Sequence, residues 1–137
     1  MAVSGGCLCG QVTFTGHGDP AWVVHCHCVN CQRASGGAFL TYVGFMSDDF
    51  DWTAEAPAIF SSSPGVERGF CRNCGSTLSF ARPDRSEISV FAGVLDDPHD
   101  LEPTGHAFFE QHMAWMDTVD KAPRWDRHPP GNEDRDA

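Results

Sequence analysis

Basic residues are scarce in this chain of 137 residues: there are nine, against nineteen acidic residues, and Lys121 is the only lysine. The formal net charge is −10 at pH 7. Nucleic-acid binding depends largely on clustered lysine and arginine side chains that neutralise phosphates. The arginines of this chain are scattered along the sequence, so we expect no nucleic acid among its partners.

Long apolar runs are also missing. No stretch approaches the roughly 18 apolar residues that a membrane-spanning helix needs, so no membrane partner is expected. The first residues, MAVSGG, have neither the basic start nor the apolar stretch of a secretory signal. The sequence therefore predicts a cytoplasmic protein, and its length fits a single domain with a hydrophobic core.

Glycine and proline, by contrast, are abundant, with 14 and 9 residues, which favours short elements joined by turns. Residues 11–15 alternate between polar and apolar, with Val12 and Phe14 on one face, as in a half-buried strand. Further short runs rich in β-forming residues predict strands. These runs are 21–25, 38–45, 57–61, 66–70, 77–81 and 87–92. The predicted class is mainly β.

Helical structure is predicted only in short turns. Residues 29–35 form the best candidate, and 105–115 is ambiguous between a strand and a short helix. The last segment, 126–137, is charged, rich in proline and glycine, and without an apolar anchor. It is predicted to be a flexible C-terminal tail.

Seven cysteines occur in three clusters, and their spacing is more informative than their number. In a reducing cytoplasm, clustered cysteines indicate metal binding or catalysis rather than disulfides. Cysteines with one or two residues between them can converge on one ion, whereas a disulfide between them is strained. The clusters are Cys7 and Cys9; Cys26, Cys28 and Cys31; and Cys71 and Cys74.

The first and last clusters share a feature, because a glycine follows the last cysteine of each, at Gly10 and Gly75. Glycine permits a tight turn in which backbone N–H groups point at sulfur. Two such turns would bring four thiolates together in a closed tetrahedral site, the usual structural form of zinc. The predicted ligands of this site are Cys7, Cys9, Cys71 and Cys74.

The middle cluster offers three ligands within six residues: Cys26, Cys28 and Cys31. Three ligands leave one position of a tetrahedral ion open, as in catalytic zinc sites. Zinc bound by three thiolates accepts a fourth sulfur readily, so the cluster predicts a thiol substrate. Two alternatives stay open: His25 or His27 could close the site, or the three cysteines could form a buried apolar cluster without metal.

Three motifs together closely resemble the family of glutathione-dependent formaldehyde-activating enzymes, which is related to centromere protein V. The motifs are GGCLCGQV, CHCVNCQRASG and RGFCRNCGSTL. The resemblance covers residues 4–125, and it implies one domain with a zinc-binding β-tent fold of antiparallel strands. It also implies a structural zinc on the four cysteines of the outer clusters and a second zinc on the three cysteines of the middle cluster, which are the catalytic candidates.

The activity that the resemblance implies is the condensation of formaldehyde with glutathione to S-hydroxymethylglutathione, a carbon–sulfur lyase class of reaction. A small thiol such as glutathione and an aldehyde co-substrate are therefore the expected partners. Glutathione is anionic at pH 7 and the protein is acidic, so we expect cations near the thiol. The candidates are Arg33, Arg68 and Arg72, and the alternative for each is a solvated surface charge.

Three histidines could belong to the same site. His27 lies between two predicted ligands, where a hydrogen bond to sulfur or solvent is expected rather than ligation. His25 could act as an acid or base or have a structural role, and His106 could line the pocket or pack in the core. Two other functions stay open: a non-catalytic glutathione or thiol carrier, and a structural zinc-binding interaction protein. The sequence does not indicate an oligomeric state.

Overall fold

The computed structural model describes residues 2–116 and 121–131. Within these residues it has ten strands, one α-helix and several short 3-10 turns, which confirms the prediction of a mainly β protein. The elements are β1 (Ala2–Gly6), β2 (Thr13–His17), β3 (Trp22–Cys26), α1 (Val29–Ser35), β4 (Leu40–Met46), β5 (Phe50–Trp52), β6 (Ala58–Ser63), β7 (Val66–Phe70), β8 (Thr77–Arg82), β9 (Glu87–Phe91) and β10 (His106–Ala107). None of the described helices is long and apolar enough to cross a membrane.

The chain forms two compact units, and β3 and β4 each have residues in both. The first unit comprises the described residues of Met1–Trp22 and Val43–Leu101. The second comprises those of Val23–Tyr42 and Glu102–Ala137. Each unit contains one complete cysteine group, so each is described by itself.

The first unit contains two antiparallel strand arrangements. Strand β2 pairs with β1 on one side and with β5 on the other, and β6, β7, β8 and β9 pair in sequence order. The alternation around Phe14 is confirmed, since Val12 and Phe14 are both buried. The Phe14 ring stacks on Phe50, which meets Trp52 edge-on. These aromatic contacts bury the inner face of the three-stranded arrangement.

The second unit is built around β3, which leads directly into the middle cysteine cluster. Strand β10 runs parallel to β3, with His106 opposite His25 and Ala107 opposite Cys26. On its other side, His106 donates its backbone N–H to Pro123 O and accepts from the Trp125 N–H. The segment predicted as ambiguous is therefore divided between the strand β10 and a 3-10 turn at Phe109–Gln111.

Two residues within the predicted tail, Arg127 and His128, make contacts in the second unit. The Phe108 N–H donates to Arg127 O, and the ring of His128 meets the Phe108 ring edge-on at 4.7 Å between centroids. Residues 132–137 lie outside the described part of the chain, so the flexible tail over 126–137 stays a prediction.

Candidate metal centres

The four cysteines of the outer clusters lie on two similar turns of the first unit, one after β1 and one after β7. In the first turn the Gly10 N–H donates to Cys7 O, and in the second the Gly75 N–H donates to Cys71 O. Both glycines have a positive φ, 80° at Gly10 and 76° at Gly75, a conformation that favours glycine. The glycine after each pair thus has the conformational role that the sequence suggested.

The sulfur atoms of this group are spaced as the ligands of one ion would be. The Sγ atom of Cys9 lies 3.5 Å from that of Cys7 and 3.7 Å from that of Cys71. All four sulfur atoms, including that of Cys74, lie within 4.8 Å of one another. A tetrahedral zinc ion with zinc–sulfur bonds of 2.3 Å has sulfur atoms about 3.8 Å apart. The group could therefore hold a metal ion, and its four-sulfur composition suits zinc.

Hydrogen-bond donors point at two of these sulfurs. The Val12 N–H donates to Cys7 Sγ over 3.3 Å. The Ser76 hydroxyl accepts the Leu8 N–H and lies 3.2 Å from Cys74 Sγ, to which its own hydrogen is free to point. The hydrogen bond from Ser76 is the largest cause that lowers the pKa of Cys74 to about 5. Such donors stabilise the thiolate form, which is the form that binds metal.

Two of the four cysteines are also part of the hydrophobic core. Cys7 and Cys71 are buried in one cluster with Val12 and Leu78, and Trp52 packs against it. Cys9 is exposed at the surface. An ion in this group would therefore connect a surface turn to buried core residues.

The middle cluster lies in the second unit, where β3 ends and α1 begins. Cys28 is the N-cap of α1, and its sulfur accepts the Cys31 N–H over 3.3 Å. An N-cap normally accepts this hydrogen bond with an oxygen of Ser, Thr, Asp or Asn, and here a sulfur takes that role. The helix ends at Gly36, whose φ is 74°. The predicted helical turn at Val29–Ser35 is confirmed at both ends.

The three sulfurs of this cluster converge on one buried point. Cys26, Cys28 and Cys31 are 7%, 3% and 0% exposed, and their sulfurs lie within 4.8 Å of one another. The neighbouring thiols, first Cys28 and then Cys31, together with burial, raise the pKa of Cys26 well above its ordinary value. Three thiolates this close need a cation to offset their repulsion, so a metal ion fits the donor set.

No fourth ligand joins these three sulfurs among the described residues. His25 and His27 are not part of the group, so the geometry favours the open site over a site closed by histidine. A residue that the sequence reasoning missed does contact the cluster: the Tyr42 hydroxyl lies 3.0 Å from Cys31 Sγ.

His27 is completely buried and pairs with another histidine. Its Nε2 lies 2.8 Å from His106 Nδ1. Burial first, and then the charges of His106 and His25, lower the pKa of His27 to about 4, so its ring is neutral at pH 7. Within the described part of the chain, the buried Nδ1 of His27 has no hydrogen-bond partner. This nitrogen is a polar atom available to a ligand.

Aromatic rings surround the buried histidine. The His27 ring lies 5.1 Å from that of Phe39 and 5.2 Å from that of Phe109. His112 stacks on Phe109 at 4.0 Å, and the Arg124 guanidinium lies 5.3 Å from the centre of the same ring. Phe109, His112 and Arg124 lie in none of the three cysteine motifs, so the sequence carries no signal for their place beside His27.

Two glutamines connect the start of α1 to the segment after β10. Gln111 Oε1 accepts the Val29 N–H over 2.9 Å. Gln32 Nε2 donates to the backbone oxygens of His27 and Gln111. These bonds fix the backbone around the middle cysteine cluster.

The three arginines predicted to contact substrate have different surroundings. Arg33 is exposed in the last turn of α1, in the same unit as the middle cluster. Arg72 is exposed in the turn between Cys71 and Cys74 of the first unit. Arg68 is buried in β7, where it donates from Nε to Ser62 Oγ and lies over the Phe80 ring. A role in substrate binding stays a prediction for all three.

Comparison with known proteins is consistent with this architecture. A protein of Rhodobacter sphaeroides, known from its crystal structure, matches 89% of this chain and 99% of its own with a TM-score of 0.57 and 19% sequence identity, a likeness of fold. No protein with a curated description matches the chain. The family model of glutathione-dependent formaldehyde-activating enzymes matches residues 2–111. On this match, together with its fold, the chain belongs to the family of glutathione-dependent formaldehyde-activating enzymes.

Proposed function

We propose that this protein is a zinc-dependent enzyme that joins the thiol of glutathione to an aldehyde, a carbon–sulfur lyase of the S-hydroxymethylglutathione synthase type. The observation that carries the proposal is the buried group of Cys26, Cys28 and Cys31, which has no fourth ligand among the described residues. Family membership adds that related chains are named for glutathione and formaldehyde.

The two cysteine groups would have different roles. Cys7, Cys9, Cys71 and Cys74 would hold a structural zinc ion, since four sulfurs complete a tetrahedral site. Cys26, Cys28 and Cys31 would hold the second. When bound there, zinc supplies a Lewis acid that favours the thiolate form of a further sulfur ligand. All seven cysteines are free thiols, which fits the reducing cytoplasm as the location of the protein.

The reaction needs no net change in protons. The thiolate sulfur forms a bond to the carbonyl carbon, the π electron pair of the carbonyl moves to its oxygen, and that oxygen takes the proton that the thiol released. The protein must hold the two partners together, exclude water and stabilise the developing charge on oxygen. The unpartnered Nδ1 of His27 is the candidate hydrogen-bond partner for that oxygen.

Cationic side chains would bind the carboxylates of glutathione. Arg33 and Arg124 both lie in the second unit with the middle cluster, and Arg68 and Arg72 remain further candidates. The rings of Phe39 and Phe109, which pack around His27, would keep the reacting atoms in an apolar surrounding.

The test measures thiol binding and turnover separately. Cobalt-substituted protein is titrated with glutathione, and a new sulfur-to-cobalt charge-transfer band reports a fourth sulfur. Exchange between ¹³C-formaldehyde and its glutathione adduct, followed by NMR, reports catalysis above the spontaneous rate. The control variant is Cys28→Ser, which should lose both signals.

Binding together with accelerated exchange supports the proposal. Binding without any acceleration would show a thiol carrier instead of an enzyme. Absence of a new charge-transfer band would leave a structural zinc protein, and the proposal would be wrong.

A further inference from the structure

We propose that Tyr42 is a positioning residue that donates its hydroxyl hydrogen to the Cys31 sulfur and so protects this metal ligand from the aldehyde. The inference rests on the proposed function, because the aldehyde is the electrophile against which protection is needed. It concerns a residue outside all three cysteine motifs and outside the set of predicted substrate contacts.

The geometry of the pair leaves only one direction for the hydrogen bond once a metal is bound. Tyr42 Oη lies 3.0 Å from Cys31 Sγ, and the two residues are 7% and 0% exposed. Between two neutral groups either atom could donate. A metal-bound cysteine is a thiolate without a proton, so the phenol must be the donor. A bond to a charged acceptor is also stronger than one between neutral groups.

A site that joins a thiol to an aldehyde faces a problem of selectivity among its own sulfurs. Addition of the Cys31 sulfur to the carbonyl carbon would form an S–C bond, and the carbonyl oxygen would take a proton from water. The product is a neutral sulfur, which is a poorer ligand than a thiolate. A hydrogen bond draws electron density from the ligand sulfur and makes it a weaker nucleophile, while an incoming thiolate without such a bond keeps its full reactivity.

The three sulfurs of the cluster differ in the hydrogen-bond donors that they accept from. One of them can therefore serve as a reference for the methylation rate within the same protein. Cys28 Sγ accepts the Cys31 N–H, and Cys31 Sγ accepts from Tyr42. Cys26 Sγ contacts the Cys31 sulfur at 3.5 Å, and among the described residues no N–H or O–H group donates to it. Cys26 should therefore react faster with a small electrophile than Cys31, and its rate should not depend on Tyr42.

The neighbouring residue on the same strand offers a matched control. Successive side chains of a strand point to opposite faces, and the Thr41 hydroxyl lies 2.9 Å from His25 Nδ1. Thr41→Val removes a hydroxyl next to Tyr42 without removing a donor to sulfur. Tyr42→Phe removes the donor and keeps the ring.

The experiment measures S-methylation of each cysteine by methyl iodide, a small electrophile, in zinc-loaded protein. Mass spectrometry of peptides gives the rate at each position. Removing a hydrogen bond to a charged group corresponds to a factor on the order of ten. Tyr42→Phe should therefore raise the methylation rate of Cys31 about tenfold and leave that of Cys26 unchanged. In the Thr41→Val protein both rates should equal those of the wild type. An unchanged rate at Cys31 in folded, zinc-loaded Tyr42→Phe protein would overturn the proposal.

A second measurement covers the case in which Tyr42→Phe does not fold. Tyr42 is the only tyrosine of the chain, so growth on 3-fluorotyrosine labels this position alone with a more acidic, more strongly donating phenol. The Cys31 methylation rate should then fall below that of the wild type, and a rate that rises or stays equal contradicts the proposal. Neither measurement uses glutathione or turnover. Protection of Cys31 in a protein without thiol–aldehyde activity would therefore overturn the proposed function while supporting the hydrogen bond.

Discussion

Replacing Cys71 by serine and, separately, Cys28 by serine should destabilise the protein to very different extents. Each change removes one sulfur from a metal-binding group. The ligands of the first group come from distant parts of the sequence, with Cys9 and Cys71 separated by 62 residues. The ligands of the second lie close together, with Cys26 and Cys31 separated by five. A metal ion thus closes a long loop in one case and a short loop in the other.

The expected magnitudes follow from the two loop lengths. Treated like a covalent cross-link, a loop of 62 residues contributes about 4 kcal/mol to the free energy of unfolding, and a loop of five contributes about 2 kcal/mol. For a chain of this length, 1 kcal/mol corresponds to about 3.5 °C in the melting temperature. Cys71→Ser should therefore lower the melting temperature by about 15 °C, against about 7 °C for Cys28→Ser. Losing the metal-binding energy itself adds to both values, because each variant gives up the ion of its own group.

Thermal melts followed by circular dichroism, together with zinc content per chain, provide the measurement. Cys9→Ser is the matched control, because Cys9 belongs to the same group as Cys71 but is exposed, whereas Cys71 is in the core. If the metal determines stability, Cys9→Ser should approach the loss seen for Cys71→Ser. If packing determines stability, Cys9→Ser should leave the melting temperature nearly unchanged.

Cys28→Ser should remain folded, keep one zinc ion per chain and lose thiol binding. Two results would refute the reasoning. A Cys28→Ser protein that melts as low as Cys71→Ser shows that the division into structural and functional groups is wrong. A Cys28→Ser protein with full activity shows that the chemistry takes place elsewhere.

Two further predictions concern the backbone. Gly5→Ala should lower the free energy of unfolding by about 1–3 kcal/mol, because its Cβ atom would meet the backbone oxygen of Val94 and the Cα of Leu95. Gly93→Ala is the control, since a Cβ atom there meets nothing within 4 Å and should leave the melting temperature unchanged. Equal melting temperatures of the two variants would contradict the close approach at Gly5. Truncation after Trp125 should leave a folded protein whose melting temperature falls by about 4 °C. The loss comes from the hydrogen bond that the Phe108 N–H donates to Arg127 O, which contributes about 1 kcal/mol. An unfolded product would show that the tail is needed for folding.

The sequence was most informative where local pattern and structure coincide. The helix over residues 29–35 and the strand over 66–70 have the predicted bounds, and the bounds of the other predicted strands lie within two residues of the observed ones. In each case the signal is local: the apolar residues repeat within the element, and the turn residues lie at its ends. The cysteines within each cluster also lie together in the structure, because cysteines that share a turn are close in sequence.

Two strands escaped prediction for physical reasons. β1 contains two glycines, which lower its β propensity, and one of them, Gly5, is required by the close approach of Val94 and Leu95. A residue that tertiary packing demands thus weakens the local signal for the strand. β5 has only three residues, too few to show a period.

Contacts between residues far apart in the sequence could not be predicted from local patterns either. Tyr42 looked like one more apolar residue of a predicted strand, and its contact with Cys31 depends on how β4 and α1 pack together. His27 and His106 are 79 residues apart, and the parallel pairing of β10 with β3 brings them together. The sequence suggested that these histidines could matter but offered no way to pair them.

The distribution of ligands along the chain has a consequence for how the protein is made. During synthesis, Cys26, Cys28 and Cys31 all leave the ribosome about forty residues before Cys71 does, as their positions require. A metal ion could thus reach the local group on a nascent chain, whereas the group of the first unit is complete only when Cys74 has emerged. If zinc is that ion, as proposed, chains made in a zinc-starved cell would remain incompletely folded and be degraded. The abundance of the protein, more than its specific activity, would then follow the zinc supply.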